Sequence, residues 1–216
     1  FGLYLVGSTD EGGLGFNHIQ KGNIMANVTA ILYLLPLFFG VIADRIGYKL
    51  SLTISYVIMI VGYYLMGEVS TYWSMYMVFL LVAVGAAFFK PVASAIVARN
   101  TDDTTGTMGF GIFYMMVNIG AFTGKTVIDP LRNVIGEQAY IYINYFSATM
   151  TILALLSVVL LYKSTHTAGE GKSMREIGQG FLRIITNWRL LILILIITAF
   201  WMVQQQLYAT MPKYVI

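Results

Sequence analysis

A lysine set in an otherwise uncharged apolar run is the side chain of this sequence best placed to do chemistry. Lys90 lies in Gly85-Ala86-Ala87-Phe88-Phe89-Lys90-Pro91, and it is the one charged residue between Trp73 and Ala98. A charge at mid-bilayer costs about 2.5–3.5 kcal/mol on insertion scales, so such a group normally faces a cavity and marks an ion, proton or substrate path. Counted from Trp73, Lys90 sits past the middle of the run, and the alternative is that its long stem carries the ammonium to the near headgroups. A second candidate is the charged turn Gly40-Val41-Ile42-Ala43-Asp44-Arg45-Ile46-Gly47-Tyr48-Lys49. Gly40 there leaves room for a neighbouring helix, Gly47 can supply a positive φ, and Asp44 can accept hydrogen bonds from a helix end or pair with a basic residue. Asn118, inside Phe113-Tyr114-Met115-Met116-Val117-Asn118-Ile119-Gly120, is an amide in an apolar run, where an unpaired polar group is costly. Its two roles are substrate contact or a helix-to-helix hydrogen bond of roughly 0.6 kcal/mol. Chemistry of other kinds has little to work with: Cys is absent, His18 and His166 lie outside the apolar runs, and no nucleophile motif or zinc-ligand spacing occurs.

The elements that must hold these residues are apolar helices long enough to cross a bilayer. The chain has 216 residues, 58% hydrophobic and only 11% charged. Soluble domains run at about 45–50% apolar and roughly 25% charged, so lipid is the solvent this composition suits. The 15 Tyr and 13 Phe exclude a disordered chain, and a net charge of +3 with interspersed acids excludes a nucleic-acid surface. A hydrocarbon core about 30 Å thick needs roughly 20 residues of helix. Full spans are expected over Met25–Ala43, Ser51–Met66 with its flanks, Trp73–Ala98, Met108–Val127 and Tyr140–Tyr162, with partial spans over Phe1–Gly7 and from Trp188 to about Tyr208. Pro91 predicts a kink in its helix, and Ala83, Gly85, Ala86 and Ala87 permit close helix contact. A large soluble helical protein would need polar stripes that Ile31–Ile42 and Leu190–Ile197 lack.

Counting the partial first span, loops alternate between two sides. Arg45, Lys49, Arg99, Lys163, Lys172, Arg175, Arg183 and Arg189 fall on one side, and Lys21, Lys125, Arg132 and Lys213 on the other. Eight against four places the first set in the cytoplasm by the positive-inside rule. Residues 164–187 differ in kind: a polar stretch with Gly169, Glu170, Gly171 and Lys172, then Ile177, Phe181, Leu182, Ile184 and Ile185 at helical spacing. This predicts a cytoplasmic linker with an amphipathic surface helix, dividing 1–163 from a span starting at 188. Both chain ends fall inside expected helices, so the reading is of a piece of a longer chain.

The charged turn resembles the signature of the major facilitator superfamily in the cytoplasmic loop between its second and third helices. Gly40, Ala43, Asp44, Arg45, Gly47 and Lys49 match it, and Tyr48 departs where the family has a basic residue. Further landmarks are similar to the proton-dependent oligopeptide transporter family: Leu14-Gly15-Phe16, Tyr33-Leu34-x-Pro36-Leu37, Phe89-Lys90-Pro91, Phe113-Tyr114-x-x-x-Asn118-Ile119-Gly120, and Phe200-Trp201 before Gln205-Gln206. The resemblance implies an all-α membrane fold of two six-helix bundles, each of inverted three-helix repeats, with the substrate site at the midplane between them. The present chain would hold the first bundle and the start of the second. It also implies that Lys90 serves proton coupling and carboxylate contact, that Tyr33 and Asn118 line the cavity, and that Tyr114, Trp201 and Gln205 border the same pathway. Gly40, Asp44, Arg45, Gly47 and Lys49 would form a cytoplasmic gate.

Three departures bear on coupling. Gln205 stands where the family has an acidic residue, Val92 replaces an Asn, and the charged run before the fifth helix is reduced to Asp102-Asp103-Thr104-Thr105. The expectation is a proton-coupled symporter of a small polar solute such as a di- or tripeptide, needing no cofactor beyond the proton gradient, monomeric at full length and resident in the plasma (inner) membrane. The competing expectations are a drug/proton antiporter, an uncoupled permease, and a non-transporting sensor or scaffold that keeps the fold for binding alone.

Overall fold

The computed structural model describes residues 2–9, 13–136, 139–163, 176, 178–179, 182 and 186–210. It divides into two compact units, Phe1–Gly171 and Lys172–Ile216. The first unit begins with a short helix, α1 (Gly2–Val6), whose loop folds back on it: Leu14 N donates to Tyr4 O and Phe16 N to Leu5 O, at 2.9 and 2.8 Å. Asn17 then starts α2 (His18–Leu34) with a reciprocal capping box, its side chain accepting from Gln20 N while Gln20 accepts from Asn17 N. α3 (Pro36–Ile46), α4 (Tyr48–Glu68), α5 (Tyr72–Arg99), α6 (Gly106–Ile135) and α7 (Ala139–Leu161) follow. The second unit contains α8 (Trp188–Thr210). Most of the segment expected as linker and surface helix, 164–187, lies outside the described residues.

These helices coincide with the apolar runs, with two differences. The expected span Met25–Ala43 is a bent pair, α2 and α3, turning by 42° at Leu35. Pro36 is the cause: it has no N–H to donate and its ring crowds the preceding turn, so it starts a new helix instead of continuing the old one. Pro91, where the kink was expected, lies within α5, which stays one helix from Tyr72 to Arg99. Second, among the described residues α4, α5, α7 and the bent pair are long and apolar enough to span a membrane, whereas α6 is not in that set. It is helical for 30 residues, but Asn118, Thr123 and Thr126 add polar groups along it, and it is the most amphipathic of the full-length helices.

Two buried clusters hold the first unit together. One joins α1, α2, α4 and α5 through Tyr4, Leu5, Ile24, Val28, Met66, Met75, Val78, Val82 and Ala83. The other, near the charged turn, joins Ala43, Tyr48, Leu52 and Val92. Between them α4 and α5 lie close enough that a Cβ at Gly85 would stand 2.6 Å from Met59 Cγ, and one at Gly62 would stand 2.5 Å from Val82 Cγ2. At this approach Ser55 Oγ donates to Gly85 O at 2.7 Å, a buried bond from side chain to neighbouring backbone. Lipid supplies no hydrophobic drive between helices, so small residues and such bonds are what hold the pair.

Candidate functional site

The bend at Pro36 sets the geometry around Lys90. It brings Phe39 onto Phe88, with ring centroids 4.0 Å apart, and Gly40 against Pro91. One residue along α5, Phe89 leans on Tyr56 of α4 with centroids 5.7 Å apart. Successive α-helical residues point about 100° apart, so with Phe88 committed to α3 and Phe89 to α4, Lys90 is left for α2. There its Nζ stands 4.6 Å from the centre of the Tyr33 ring. Both side chains are open rather than buried, Tyr33 at 59% exposure. Two residues 57 positions apart in the chain thus form one site: an ammonium on an aromatic face, beside a phenolic hydroxyl.

Asn118 and Tyr114 lie on α6. Asn118 Nδ2 donates to the Tyr114 backbone oxygen at 2.9 Å, which leaves its carbonyl oxygen available as an acceptor. Thr107, Gly111, Tyr114 and Asn118 recur at spacings of three and four and form one polar face of this amphipathic helix. Among the described residues no hydrogen bond or ring contact joins this face to the Lys90–Tyr33 pair. Trp201 and Gln205 lie on α8 in the second unit, Trp201 being exposed and stacked edge-on to Phe200; the Gln205 side chain is outside the described residues.

The charged turn is built as a junction of four helices. Gly47 ends α3 and starts α4 with φ +91°, a value that L side chains rarely adopt. Ser51 Oγ then donates to Gly47 O at 2.9 Å. Tyr48, buried at 3% exposure, donates to Asp44 Oδ1 at 2.9 Å, and Arg99 from the end of α5 lies 5.4 Å over the same ring. Lys49 Nζ reaches Val159 O of α7 at 2.8 Å, while Arg45 is exposed. Sequence reasoning missed two members here. As residue types Tyr48 is only a departure from the signature and Arg99 only a cytoplasmic charge, yet Tyr48 is a hydrogen-bond donor to Asp44 and Arg99 covers its ring. Gly40 is a correction of the opposite kind: a Cβ there would meet Pro91 at 3.6 Å, ordinary contact, whereas Gly62 and Gly85 mark tight approaches between α4 and α5.

This all-helical bundle with an ammonium in an apolar helix and a charged turn between its second and third spans is matched over residues 6–216 by the Major Facilitator Superfamily model, and the chain belongs to that superfamily. It is an integral membrane protein of the superfamily's helical-bundle fold. It is similar to the di-/tripeptide transporter of Lactococcus lactis subsp. lactis (strain IL1403), 24% identical over 132 residues that make up 60% of this chain and 27% of that protein. It is also 24% identical, over 178 residues, to the multidrug resistance protein MdtH of Edwardsiella ictaluri (strain 93-146), covering 82% of this chain and 42% of MdtH. The fold matches a crystal structure of a POT family transporter in complex with a thioalcohol-conjugated peptide, with TM-score 0.68 and 23% identity over 92% of this chain and 42% of that one. The chain therefore spans well under half the length of these relatives, all of which are transporters and not enzymes. The resemblance to the oligopeptide transporter family read from the motifs holds in both sequence and fold.

Proposed function

We propose that the full-length protein is a secondary active transporter that moves a small polar solute, with di- and tripeptides as the first class, together with protons by alternating access. The Lys90–Tyr33 approach is the observation that carries this reading. An ammonium on an open aromatic face is a receptor for a carboxylate, and the adjacent phenol adds a hydrogen bond to it. The α6 face adds an amide acceptor at Asn118, suited to a peptide N–H. Inward proton movement supplies about 2.3 kcal/mol per charge per 100 mV, enough to concentrate a solute severalfold. Gln205 cannot release a proton, so coupling in this reading falls to groups elsewhere on the path. Gly40, Asp44, Arg45, Gly47 and Lys49, with Tyr48 and Arg99, form the cytoplasmic gate. The protein works as a monomer in the plasma membrane and needs no bound cofactor. Uptake of a labelled dipeptide into liposomes with an imposed pH gradient tests this: accumulation above the external concentration is expected, abolished by Lys90→Ala. Lys90→Ala transport at the unmodified rate would remove Lys90 from its role.

The similarity to MdtH favours one second reading, export of amphipathic compounds against protons. The exposed Met115, Met116 and Phe122 of α6 give that reading an adaptable apolar wall. Efflux of a cationic dye with no dipeptide uptake would select it.

A further inference from the structure

Away from the Lys90 site, α4 and α7 enclose a lateral groove of about 430 Å³ lined by Ile60, Val61, Tyr64, Leu65, Tyr145, Ala148, Thr149 and Ile152. Its walls are mostly apolar: Thr149 turns its hydroxyl to the Tyr145 backbone oxygen, and two phenols stand at one end, where Tyr64 and Tyr145 stack with ring centroids 5.6 Å apart. Beyond that pair Tyr145 donates a short hydrogen bond to Glu68 Oε1 at the last turn of α4. Glu68 is exposed, and among the described residues no basic side chain pairs with it. Depth is set by aromatics around it: Trp73 and Tyr76 meet edge-on at the start of α5, and Tyr142 packs edge-on against Tyr145. Trp and Tyr collect in this way at headgroup level. From Ile60 to Leu65 the α4 wall of the groove covers about 7.5 Å at 1.5 Å per residue. Glu68 stands about one turn beyond it, so groove and carboxylate together take up about 12 Å of the roughly 15 Å that one leaflet contributes to the hydrocarbon core.

We infer that this groove binds a phospholipid with a primary-amine headgroup, phosphatidylethanolamine, from the leaflet opposite the charged turn. Its acyl chain lies between α4 and α7, and its ammonium meets the Glu68 carboxylate beside the two phenol rings. The commitment to an amine rests on charge. A carboxylate at headgroup level repels phosphatidylglycerol, and a primary ammonium donates the hydrogen bonds to Glu68 that a quaternary choline cannot. The Tyr64–Tyr145 pair adds aromatic faces that favour a cation. None of this depends on which solute is transported.

The test uses the full-length protein in nanodiscs of equal phosphatidylethanolamine and phosphatidylglycerol, with retained lipid counted by native mass spectrometry after gentle detergent release. Unmodified protein should retain the amine lipid severalfold over phosphatidylglycerol. Glu68→Gln keeps an acceptor for Tyr145 but removes the charge, and should bring the ratio close to one. Thr149→Trp fills the groove while leaving Glu68 in place, and should lose the retained lipid. Equal retention of both lipids by the unmodified protein overturns the inference. So does an unchanged ratio in Glu68→Gln, or full retention in Thr149→Trp, since the headgroup would then bind without the groove. Disulfide cross-linking of Val61→Cys to a second copy would show that a protein occupies the groove, and would likewise overturn it.

Discussion

Tyr33 meets Lys90 with its ring, and its hydroxyl is free to act separately, so the two parts of the side chain can be tested apart. Tyr33→Phe keeps the aromatic face under the ammonium, and Tyr33→Leu removes it. Cation–π contacts range from about 0.5 kcal/mol when exposed to about 2 when desolvated, which corresponds to a roughly two- to thirtyfold effect on affinity. The expected outcome is a KM for transported solute raised within that range in Tyr33→Leu, with Tyr33→Phe showing a smaller rise; equal effects would assign the role to the hydroxyl alone. Tyr48 makes a comparable case at the charged turn. Tyr48→Phe retains the ring beneath Arg99 but withdraws the donor from Asp44, and removing such a bond costs about 1 kcal/mol or more when the acceptor is left partly buried. Thermal unfolding in detergent should show the drop, and Tyr48→Leu, which removes the ring beneath Arg99 as well, should show a larger one. Of these roles only Lys90, Tyr33 and Asp44 could be read from the sequence. The sequence shows residue types, and Lys90 in an apolar run is conspicuous by type. Tyr48 and Arg99 are ordinary as types, and become partners only because α3, α4 and α5 end together.

At the scale of helices, glycines divide into those that permit contact and those that permit a turn. A side chain at Gly85 would drive into Met59 and the backbone of Ser55, and overpacking of this kind costs typically about 1–3 kcal/mol. Gly85→Leu should therefore lower the unfolding temperature well below that of Gly40→Ala, whose Cβ meets Pro91 at an ordinary 3.6 Å. The turn before α6 depends on a carboxylate. Asp102 Oδ1 accepts from the hydroxyls of Thr104 and Thr105 and from both their backbone N–H groups, at 2.6 to 2.9 Å. These hydroxyls, with the N–H groups next, hold the Asp102 carboxyl well below the usual carboxylate range. A carboxyl depressed in the folded state contributes its stability above its unfolded pKa of about 3.9 and loses it as pH falls through the lower folded value. Hydrogen exchange at the Thr104 and Thr105 amides should thus show protection that is flat above pH 5, while Asp102→Ala exposes both amides across that range. The helices themselves were legible because lipid demands long apolar runs, and each run is a helix. The break at Pro36 was less so: a proline permits both a kink and a new start, and Pro91, the same residue type in α5, leaves its helix whole.

The whole molecule is legible in the sequence to the extent that its solvent is. Apolar runs locate the helices and the charge asymmetry gives an expected direction for each, whereas which helices touch depends on small residues whose spacing repeats throughout the chain. Gly62 and Gly85 pack tightly and Gly111 and Gly120 do not, and nothing local distinguishes them. The amphipathic α6 joins the two scales, since a helix more polar than a span requires must turn its polar face to water or protein inside the assembled transporter. These 216 residues contain no Cys, so single cysteines placed among them, in a full-length protein cleared of any others, make the sidedness of the helices and the polar face of α6 measurable. The eight-to-four division of basic loop residues predicts that the α5–α6 turn is cytoplasmic and the α4–α5 turn outside. Ser70→Cys in intact cells should then react with a membrane-impermeant maleimide, and Asp103→Cys should react only after the membrane is permeabilised; the opposite pattern would invert every span. Along α6, Tyr114→Cys and Asn118→Cys should label within minutes and Met116→Cys, on the opposite face, far more slowly. Dipeptide that slows labelling at Tyr114→Cys and Asn118→Cys, but leaves Ser70→Cys unchanged, would place the solute against that polar face, and labelling indifferent to dipeptide would remove α6 from the path.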